Sequence, residues 1–393
     1  MENNTVSHIK NVHFIGVGGI GMSALASYAL SRKMSVSGTD QNTSDTVNKL
    51  IEKGLNFSKG HKDIIFNEQT AIIYTSGINK ENNELIVAKK MGCKVYKRGE
   101  FLSLIVNSAK VSIAICGAHG KTTTTSLMAH SFYDFDFTSF VGGIISEYNS
   151  NFLEKDLDKI ITEADESDGS FLFLKPSTVV LTNIDFDHLD YYETKEKIIE
   201  TYTQFLKTNK NLELLIYNND DIHAKNVANK VHCKKASFGF SNEAKYKLRI
   251  IKENLFFTTA ELKYEDKILT FSIPLNGAHN IQNAASCFVY GIEKKLDLEI
   301  IKKRIFSFSG TKRRSEVLKT NPFIINDYAH HPVEILSTVN ALTQYEDFTV
   351  IFQPHRFSRT STLWDEFIES LSKVNDLYIL PVKLEFFYKI NCL

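Results

Sequence analysis

A glycine-rich segment directly behind an apolar run constrains this chain more than any other feature. Residues 111–116 form the run, and Gly117-Ala118-His119-Gly120-Lys121-Thr122-Thr123 follows it. A β-branched run that breaks into glycines and then into Lys-Thr predicts a strand, a phosphate-cradling turn and a helix start. The turn is shorter than the usual phosphate loop, and a helix start of purely structural role is the alternative. We expect a nucleoside triphosphate site.

Two side chains of this segment would carry the chemistry of such a site. Lys121 would neutralise the β- and γ-phosphates of the nucleotide. The hydroxyl group of Thr122 would face a Mg²⁺ ion, because hard cations prefer oxygen ligands.

The composition excludes several classes of protein. The chain has 393 residues, with 46 basic and 46 acidic side chains, so no bulk field attracts nucleic acid or an anionic membrane. Its five cysteines form no close pairs, which argues against a zinc site or a disulfide framework and favours a reducing cytoplasm. We see neither a signal peptide nor an apolar stretch long enough to span a bilayer.

Segments with strand patterns alternate with segments with helix patterns along most of the chain. This alternation predicts an α/β fold of parallel sheets with crossover helices. The polar segment 107–110 predicts the first domain boundary, and residues 306–311 predict a hinge before a third sheet. That sheet would contain strands at residues 323–326, 349–352 and 377–380. Residues 245–273 alternate polar and apolar side chains, as hairpin strands do.

A second glycine motif lies near the N-terminus. Gly16-Val17-Gly18-Gly19-Ile20-Gly21 matches G-x-G-x-x-G between a predicted strand and a predicted helix, and Asp40 lies near the offset of a ribose-binding carboxylate. The physics of the motif specifies only a diphosphate at a helix N-terminus. A nicotinamide cofactor and a nucleotide-linked substrate therefore both fit, and close helix-strand packing is the structural alternative.

Two acidic clusters follow predicted strands behind the phosphate loop. They are Glu163-Ala164-Asp165-Glu166-Ser167-Asp168 and Asn183-Ile184-Asp185-Phe186-Asp187-His188-Leu189-Asp190. Because ligands of an open parallel sheet bind at the carboxyl ends of its strands, both clusters should converge on the edge that carries Lys121. Carboxylates suit Mg²⁺, and His188 could add a ligand or orient one. A solvated loop is the alternative for either cluster alone.

Several motifs in one order resemble those of the Mur ligase family. The resemblance rests on residues 13–23, the Gly-Lys-Thr loop, residues 163–171, 182–188, 277–280, 310–316, 327–332 and 353–356. It covers residues 10 to 381, and it is highly specific because independent motifs keep one order.

The resemblance implies a three-domain α/β architecture. Residues 1–108 would form a Rossmann-like domain that binds a UDP-sugar. Residues 109–310 would form a central ATP-binding domain of the P-loop ATPase type. Residues 311–393 would form a truncated Rossmann-like C-terminal ligase domain.

The resemblance also implies the reaction. The enzyme would use ATP and Mg²⁺ to activate the lactyl carboxylate of UDP-N-acetylmuramate as an acyl phosphate and join it to L-alanine during peptidoglycan synthesis in the cytoplasm. A ligase that attaches a whole peptide to the same sugar nucleotide and an inactive nucleotide-binding protein are the alternatives. A nicotinamide dehydrogenase would leave the Gly-Lys-Thr loop unexplained.

Site residues follow from the matched motifs. The implied catalytic residues are Lys121, His188, His330, His355 and Arg356. The implied nucleotide-binding residues are Gly117, Ala118, His119, Gly120, Lys121, Thr122, Thr123, Asn280 and Arg314. The implied substrate-binding residues are Gly18, Gly19, Gly21, Met22, Ser23, Asp40 and Ser76, and the implied metal ligands are Thr122, Glu163 and His188. For the histidines, a core or loop position without function is the alternative.

The chain departs from the family pattern at two places. Ala118 stands where the family usually has threonine, which we interpret as a tolerated substitution. Residues 383–393 do not align with the family, which would continue for several strand and helix units. A small parallel sheet covers its two faces poorly, so we expect exposed apolar surface and impaired or absent activity in the chain as written.

Overall fold

A computed structural model describes residues 6–60, 66–186, 189–254, 257–320, 322–343 and 348–382. Within these residues the chain forms α/β units in three successive parts, as the alternation of patterns predicts. No helix of the described ranges combines the length and apolar character needed to cross a membrane.

The N-terminal part is a five-stranded parallel sheet in the order β3-β2-β1-β4-β5. Its elements are β1 Asn11–Ile15, α1 Ile20–Ser31, β2 Ser35–Asp40, α2 Asp45–Glu52, β3 Asn56–Lys59, β4 Thr70–Tyr74, α3 Asn83–Lys90, β5 Val95–Lys97 and α4 Arg98–Val106. Neighbouring residues of β1 face opposite sides, so Phe14 packs with α1 and α4 while Ile15 packs with α3. The strand order reverses between β1 and β4, which is where doubly wound sheets bind ligands.

The middle part contains a ten-stranded sheet in the order β15-β14-β13-β12-β11-β10-β6-β9-β7-β8. Its strands are β6 Val111–Cys116, β7 Phe137–Ile145, β8 Ser150–Leu153, β9 Asp156–Glu163, β10 Thr178–Leu181, β11 Leu214–Asn218, β12 Lys234–Gly239, β13 Tyr246–Glu253, β14 Thr258–Tyr264 and β15 Lys267–Ile273. Its helices are α5 Lys121–Ser131, α6 Leu189–Tyr192, α7 Lys195–Thr208, α8 Ile222–Asn229, α9 Ala278–Glu293 and α10 Leu298–Phe306.

Strand β6 is fully enclosed in this sheet. It lies between β9 and β10, and both neighbours run parallel to it. The carboxyl ends of the three strands therefore meet at one edge, where the phosphate loop and the two acidic clusters begin. The hairpin pattern of residues 245–273 is confirmed, since β13, β14 and β15 pair in antiparallel fashion.

The C-terminal part contains two small sheets. Its elements are β16 Glu316–Thr320, β17 Phe323–Asn326, α11 Pro332–Leu342, β18 Thr349–Phe352, α12 Phe357–Thr362, α13 Trp364–Leu371 and β19 Asp376–Ile379. The prediction that residues 323–326 join the other two strands in one sheet is wrong. β17 pairs instead with β16 in an antiparallel hairpin that places Thr320 opposite Phe323, since consecutive antiparallel strands need only a two-residue connection.

The pair β18 and β19 is parallel and packs on one face against α11 and α13. Three apolar or aromatic side chains of this strand pair are exposed: Ile351 is 69% exposed, Tyr378 59% and Ile379 60%. The expected exposure of apolar surface is confirmed for these described strands. The C-terminal segment 383–393 lies outside the described residues.

Candidate active site at the phosphate loop

The phosphate loop leaves β6 through two glycines that no other residue could replace without strain. Gly117 has φ +137°, and a Cβ atom there would lie 2.1 Å from Thr182 Oγ1. Gly120 has φ +81° and precedes α5 as its N-cap. Together they fold a loop shorter than the usual one and aim the N-terminus of α5 at the cavity beside it.

Lys121 lies at the centre of the site. Its Nζ donates hydrogen bonds to the Gly117 and Ala118 carbonyl oxygens and to Glu166 Oε1 at 2.7 Å. Burial alone would lower the pKa of Lys121, but Glu166 and Asp165 raise it, so the side chain carries its charge. Burial raises the pKa of Glu166 to about 7, against the opposing effect of Lys121.

Thr122 and Glu163 form an oxygen pair beside Lys121. The hydroxyl group of Thr122 donates to Glu163 Oε2 at 3.3 Å, and the Gly142 backbone N–H donates to Glu163 Oε1 at 2.7 Å. Burial raises the pKa of Glu163. Such hard oxygen donors fit a Mg²⁺ ion. His188, the third implied ligand, lies outside the described residues.

The second acidic cluster holds the loop from its other side. Asn183 accepts from the His119 backbone N–H at 2.9 Å and donates to the His119 carbonyl oxygen at 2.9 Å. Asp185 Oδ2 lies 2.9 Å from His119 Nε2. Burial would lower the pKa of His119, but hydrogen bonds to Asp185 and Glu334 raise it to about 9. The predicted convergence of both clusters on the edge with Lys121 is therefore confirmed.

A cavity of about 490 Å³ opens beside the loop toward α9. Thr123, Asn280 and Arg314 line it, as do His119 and Gly120. Asn280 is 5% exposed, and its Nδ2 donates to the Asn276 carbonyl oxygen at 2.7 Å. This cavity brings most of the implied nucleotide-binding residues together.

The C-terminal part closes the other side of the loop. A cavity of about 270 Å³ is lined from the middle part by Lys121, Thr122 and Glu163, among others, and from the C-terminal part by Arg314, His330, His355, Arg356 and other residues. Burial lowers the pKa of His330, against the opposing effect of Glu334. The implied catalytic residues of the described chain thus face one space.

A third cavity, of about 300 Å³, lies where the N-terminal part meets the middle part. Its lining includes Gly19, Gly21, Met22, Ser76 and Arg98. Glu163 and Asp165 line this cavity and also the one at Lys121. The strip from Glu163 to Asp165 therefore separates the second glycine motif from the phosphate loop.

Three implied substrate residues are not among the described residues that line this third cavity: Gly18, Ser23 and Asp40. The Gly18 backbone N–H donates to Asp40 Oδ2 at 2.9 Å, so this pair supports the turn. Ser23 donates to the Ile20 carbonyl oxygen at 2.9 Å. Their roles in substrate binding stay predictions.

Sequence reasoning did not find three residues that shape the site: Arg98, Glu166 in its pairing with Lys121, and Glu334. Arg98 Nη2 lies 2.7 Å from Asp165 Oδ2 and so connects α4 to the first acidic cluster. Burial would raise the pKa of Asp165, but Arg98 and Lys121 lower it to about 2.

Glu334 contacts the phosphate loop from the C-terminal part: its Oε1 lies 3.4 Å from His119 Nδ1. The only local sequence signal for Glu334 is its position in the first turn of helix α11.

Comparisons with known proteins agree with this geometry. Residues 11–110 match the model of the Mur ligase family, catalytic domain, and residues 115–291 match that of the Mur ligase middle domain. The UDP-N-acetylmuramate–L-alanine ligase of Clostridium acetobutylicum is 39% identical over 381 residues, which are 95% of this chain and 83% of that protein. The ligase of the same name from Hydrogenobaculum sp. is 36% identical over 95% of this chain and 84% of its own length.

Solved structures share the fold. The crystal structure of UDP-N-acetylmuramate-alanine ligase from Thermotoga maritima superimposes with a TM-score of 0.82 and 25% identity, over 95% of this chain and 85% of that one. A murein peptide ligase from Psychrobacter arcticus has a TM-score of 0.72 and 19% identity, over 95% of this chain and 91% of that one.

Proposed function

The chain belongs to the Mur ligase family of ATP-dependent ligases, and we propose that it joins L-alanine to the lactyl carboxylate of UDP-N-acetylmuramate during peptidoglycan synthesis. One observation carries the proposal: Glu163 and Asp165 line both the cavity at the second glycine motif and the cavity at Lys121. A substrate in the cavity at the second glycine motif can therefore extend its carboxylate to the phosphate loop.

The chemistry explains why both cavities are needed. A carboxylate resists attack by an amine because oxide would have to leave. Transfer of the γ-phosphoryl group of ATP to a carboxylate oxygen forms an acyl phosphate and ADP. The amine nitrogen then attacks the carbonyl carbon, the bond between that carbon and the phosphate oxygen breaks, and inorganic phosphate leaves. Charge accumulates on phosphoryl oxygens and on a tetrahedral oxyanion, where fixed cations and dipoles stabilise it.

The described residues supply those groups. Lys121 and the N-terminus of α5 bind the triphosphate. Arg314 and Arg356 add positive charge from the C-terminal part. His330, whose pKa is lowered, can accept a hydrogen bond from the incoming amino group. We propose that this group of residues binds the amino acid and the acyl phosphate.

We also propose that Thr122 and Glu163 hold a Mg²⁺ ion, with His188 as a further ligand. The paired oxygens of Thr122 and Glu163 support this, since they are of the type Mg²⁺ prefers. When bound, the ion would neutralise charge on the phosphate oxygens.

We further propose a reducing, cytoplasmic location, which the free thiols of Cys93, Cys116, Cys233 and Cys287 support.

A phosphate-release assay tests the proposal. Phosphate should form only when ATP, UDP-N-acetylmuramate and L-alanine are all present, and omission of any one should abolish it. Faster release with L-alanyl-γ-D-glutamyl-meso-diaminopimelate than with alanine would favour a peptide-recycling ligase. Calorimetric binding of ATP and the sugar nucleotide without any phosphate release would identify an inactive nucleotide-binding protein.

A further inference from the structure

We propose that His119, Asp185 and His331 form a binding site for a transition-metal dication of the Zn²⁺ class. The site lies where the C-terminal part meets the phosphate loop. The three side chains offer two imidazole nitrogens and one carboxylate oxygen, and these atoms all lie within 4.8 Å of one another. Three protein ligands with a fourth position left open are the pattern of Zn²⁺ sites that accept an exchangeable ligand.

The distances suit a tetrahedral ion. Asp185 Oδ2 lies 2.9 Å from His119 Nε2 and 3.9 Å from His331 Nδ1. Ligands at the usual Zn²⁺ bond lengths lie about 3.3 Å from each other around a tetrahedron. The two distances from Asp185 lie on either side of this value, and all three ligand atoms lie within 4.8 Å of one another, so the side chains would move closer together to complete the coordination.

Glu334 supplies the outer support that a metal-binding histidine requires. Its Oε1 lies 3.4 Å from His119 Nδ1, the ring nitrogen that faces away from Asp185. A carboxylate at that nitrogen fixes the proton there and directs the other nitrogen, Nε2, to a metal. Glu334 is itself held by the His330 backbone N–H, which donates to its Oε2 at 3.0 Å.

The proposed site differs in chemistry from the Mg²⁺ site at Thr122 and Glu163. Imidazole nitrogens suit Zn²⁺, Co²⁺ and Ni²⁺, whereas Mg²⁺ prefers oxygen ligands. The side chain of His331 is buried, and those of His119 and Asp185 are partly buried, with exposed fractions of 6%, 13% and 30%. A bound ion would link the phosphate loop, the end of β10 and the start of α11, and so would tie the C-terminal part to the nucleotide site.

The test is a metal titration of the full chain after chelator treatment, in buffer with saturating Mg²⁺. Zn²⁺ affinity is measured by competition with a chromophoric chelator, and Co²⁺ serves as a spectroscopic probe. We expect one Zn²⁺ per chain and the intense visible absorption of tetrahedral Co²⁺. H331Q and D185N should each weaken Zn²⁺ binding at least tenfold, and E334Q should weaken it by about tenfold. The matched control is H232Q, at an exposed histidine outside the cluster, and it should bind as the parent chain does.

Equal Zn²⁺ affinity in the parent chain, H331Q and D185N would overturn the proposal. A weak Co²⁺ spectrum of the octahedral type would overturn it as well. Thermal unfolding in the presence of chelator identifies any variant that does not fold. If H331Q or D185N does not fold, the Zn²⁺ affinity of the other one decides. The titration requires no turnover, so its result is independent of the proposed ligase activity.

Discussion

At the residue scale, Lys121 distinguishes the two ligand sites that we propose. It lines the cavity at the phosphate loop and is not among the described residues around the cavity at the second glycine motif. We expect Lys121→Ala to lower phosphate release by roughly 100- to 1,000-fold, because a preorganised cation next to the transferred phosphoryl group is lost.

Calorimetry measures the other half of this prediction. The affinity of Lys121→Ala for UDP-N-acetylmuramate should stay close to that of the parent chain. A comparable loss of turnover and of sugar-nucleotide affinity would mean that the two sites are not separate.

Gly117 offers a second test at this scale. Its Cβ would lie 2.1 Å from Thr182 Oγ1 and 2.8 Å from the Asn183 carbonyl oxygen. We expect Gly117→Ala to weaken ATP binding at least tenfold, because the loop must move. Gly92→Ala is the matched control: Gly92 has φ +74° but nothing within 4 Å of its Cβ position.

The control variant Gly92→Ala should keep the ATP affinity of the parent chain. Its free energy of unfolding should fall by about 1–2 kcal/mol, from backbone strain alone. ATP titration and urea unfolding of both variants give the two quantities. Identical behaviour of Gly117→Ala and Gly92→Ala would show that the close approach to Thr182 does not matter.

At the scale of elements, Glu293 connects the end of α9 to the sheet. Its carboxylate lies 2.7 Å from Lys234 Nζ and from Lys245 Nζ, and the Tyr246 hydroxyl group donates to it at 2.7 Å. Burial would raise the pKa of Glu293, but these three donors lower it to about 2. A carboxylate whose pKa is lower in the folded chain than in the unfolded chain stabilises the fold when ionised.

This pKa predicts how stability depends on pH. The contribution of Glu293 should be complete above the unfolded-state pKa of about 4.3 and should disappear as the pH falls toward 2. Urea unfolding should therefore show Glu293→Gln less stable than the parent chain at pH 6, with a difference that shrinks below pH 4.5. Glu52→Gln, at an exposed carboxylate, is the control. A difference that does not change with pH would contradict the assignment.

The elements also show what the sequence can predict. Strand β6 has the predicted bounds, because an apolar run that ends in glycine is a local signal. The acidic clusters behind β9 and β10 are predictable because each follows a segment with a strand pattern. Ligands of an open parallel sheet bind at the carboxyl ends of its strands, so the two clusters belong at one edge. Strands β7 and β8 carry no comparable pattern, so the sequence does not predict them. The ion pair of Arg98 with Asp165 could not be predicted, because it joins residues 67 positions apart through the packing of two sheets.

At the scale of the whole molecule, the reaction centre that we propose draws on three parts of the chain. The second glycine motif comes from the first sheet, Lys121 from the second and Arg356 from the region beyond the hinge. Residues from separate sheets must approach one another for the reaction, so opening and closing should accompany turnover. The low catalytic rate expected from the sequence stays a prediction, and kcat of the 393-residue chain measures it.

Transfer of ¹⁸O tests the central claim, activation of the acceptor carboxylate by phosphorylation, most directly. UDP-N-acetylmuramate labelled with ¹⁸O in its lactyl carboxylate is incubated with ATP, L-alanine and the chain, and the released phosphate is analysed by mass spectrometry. An acyl phosphate requires that each phosphate released carry one carboxylate oxygen, so labelled phosphate should appear in step with the amide product. Amide product accompanied by unlabelled phosphate would contradict the mechanism.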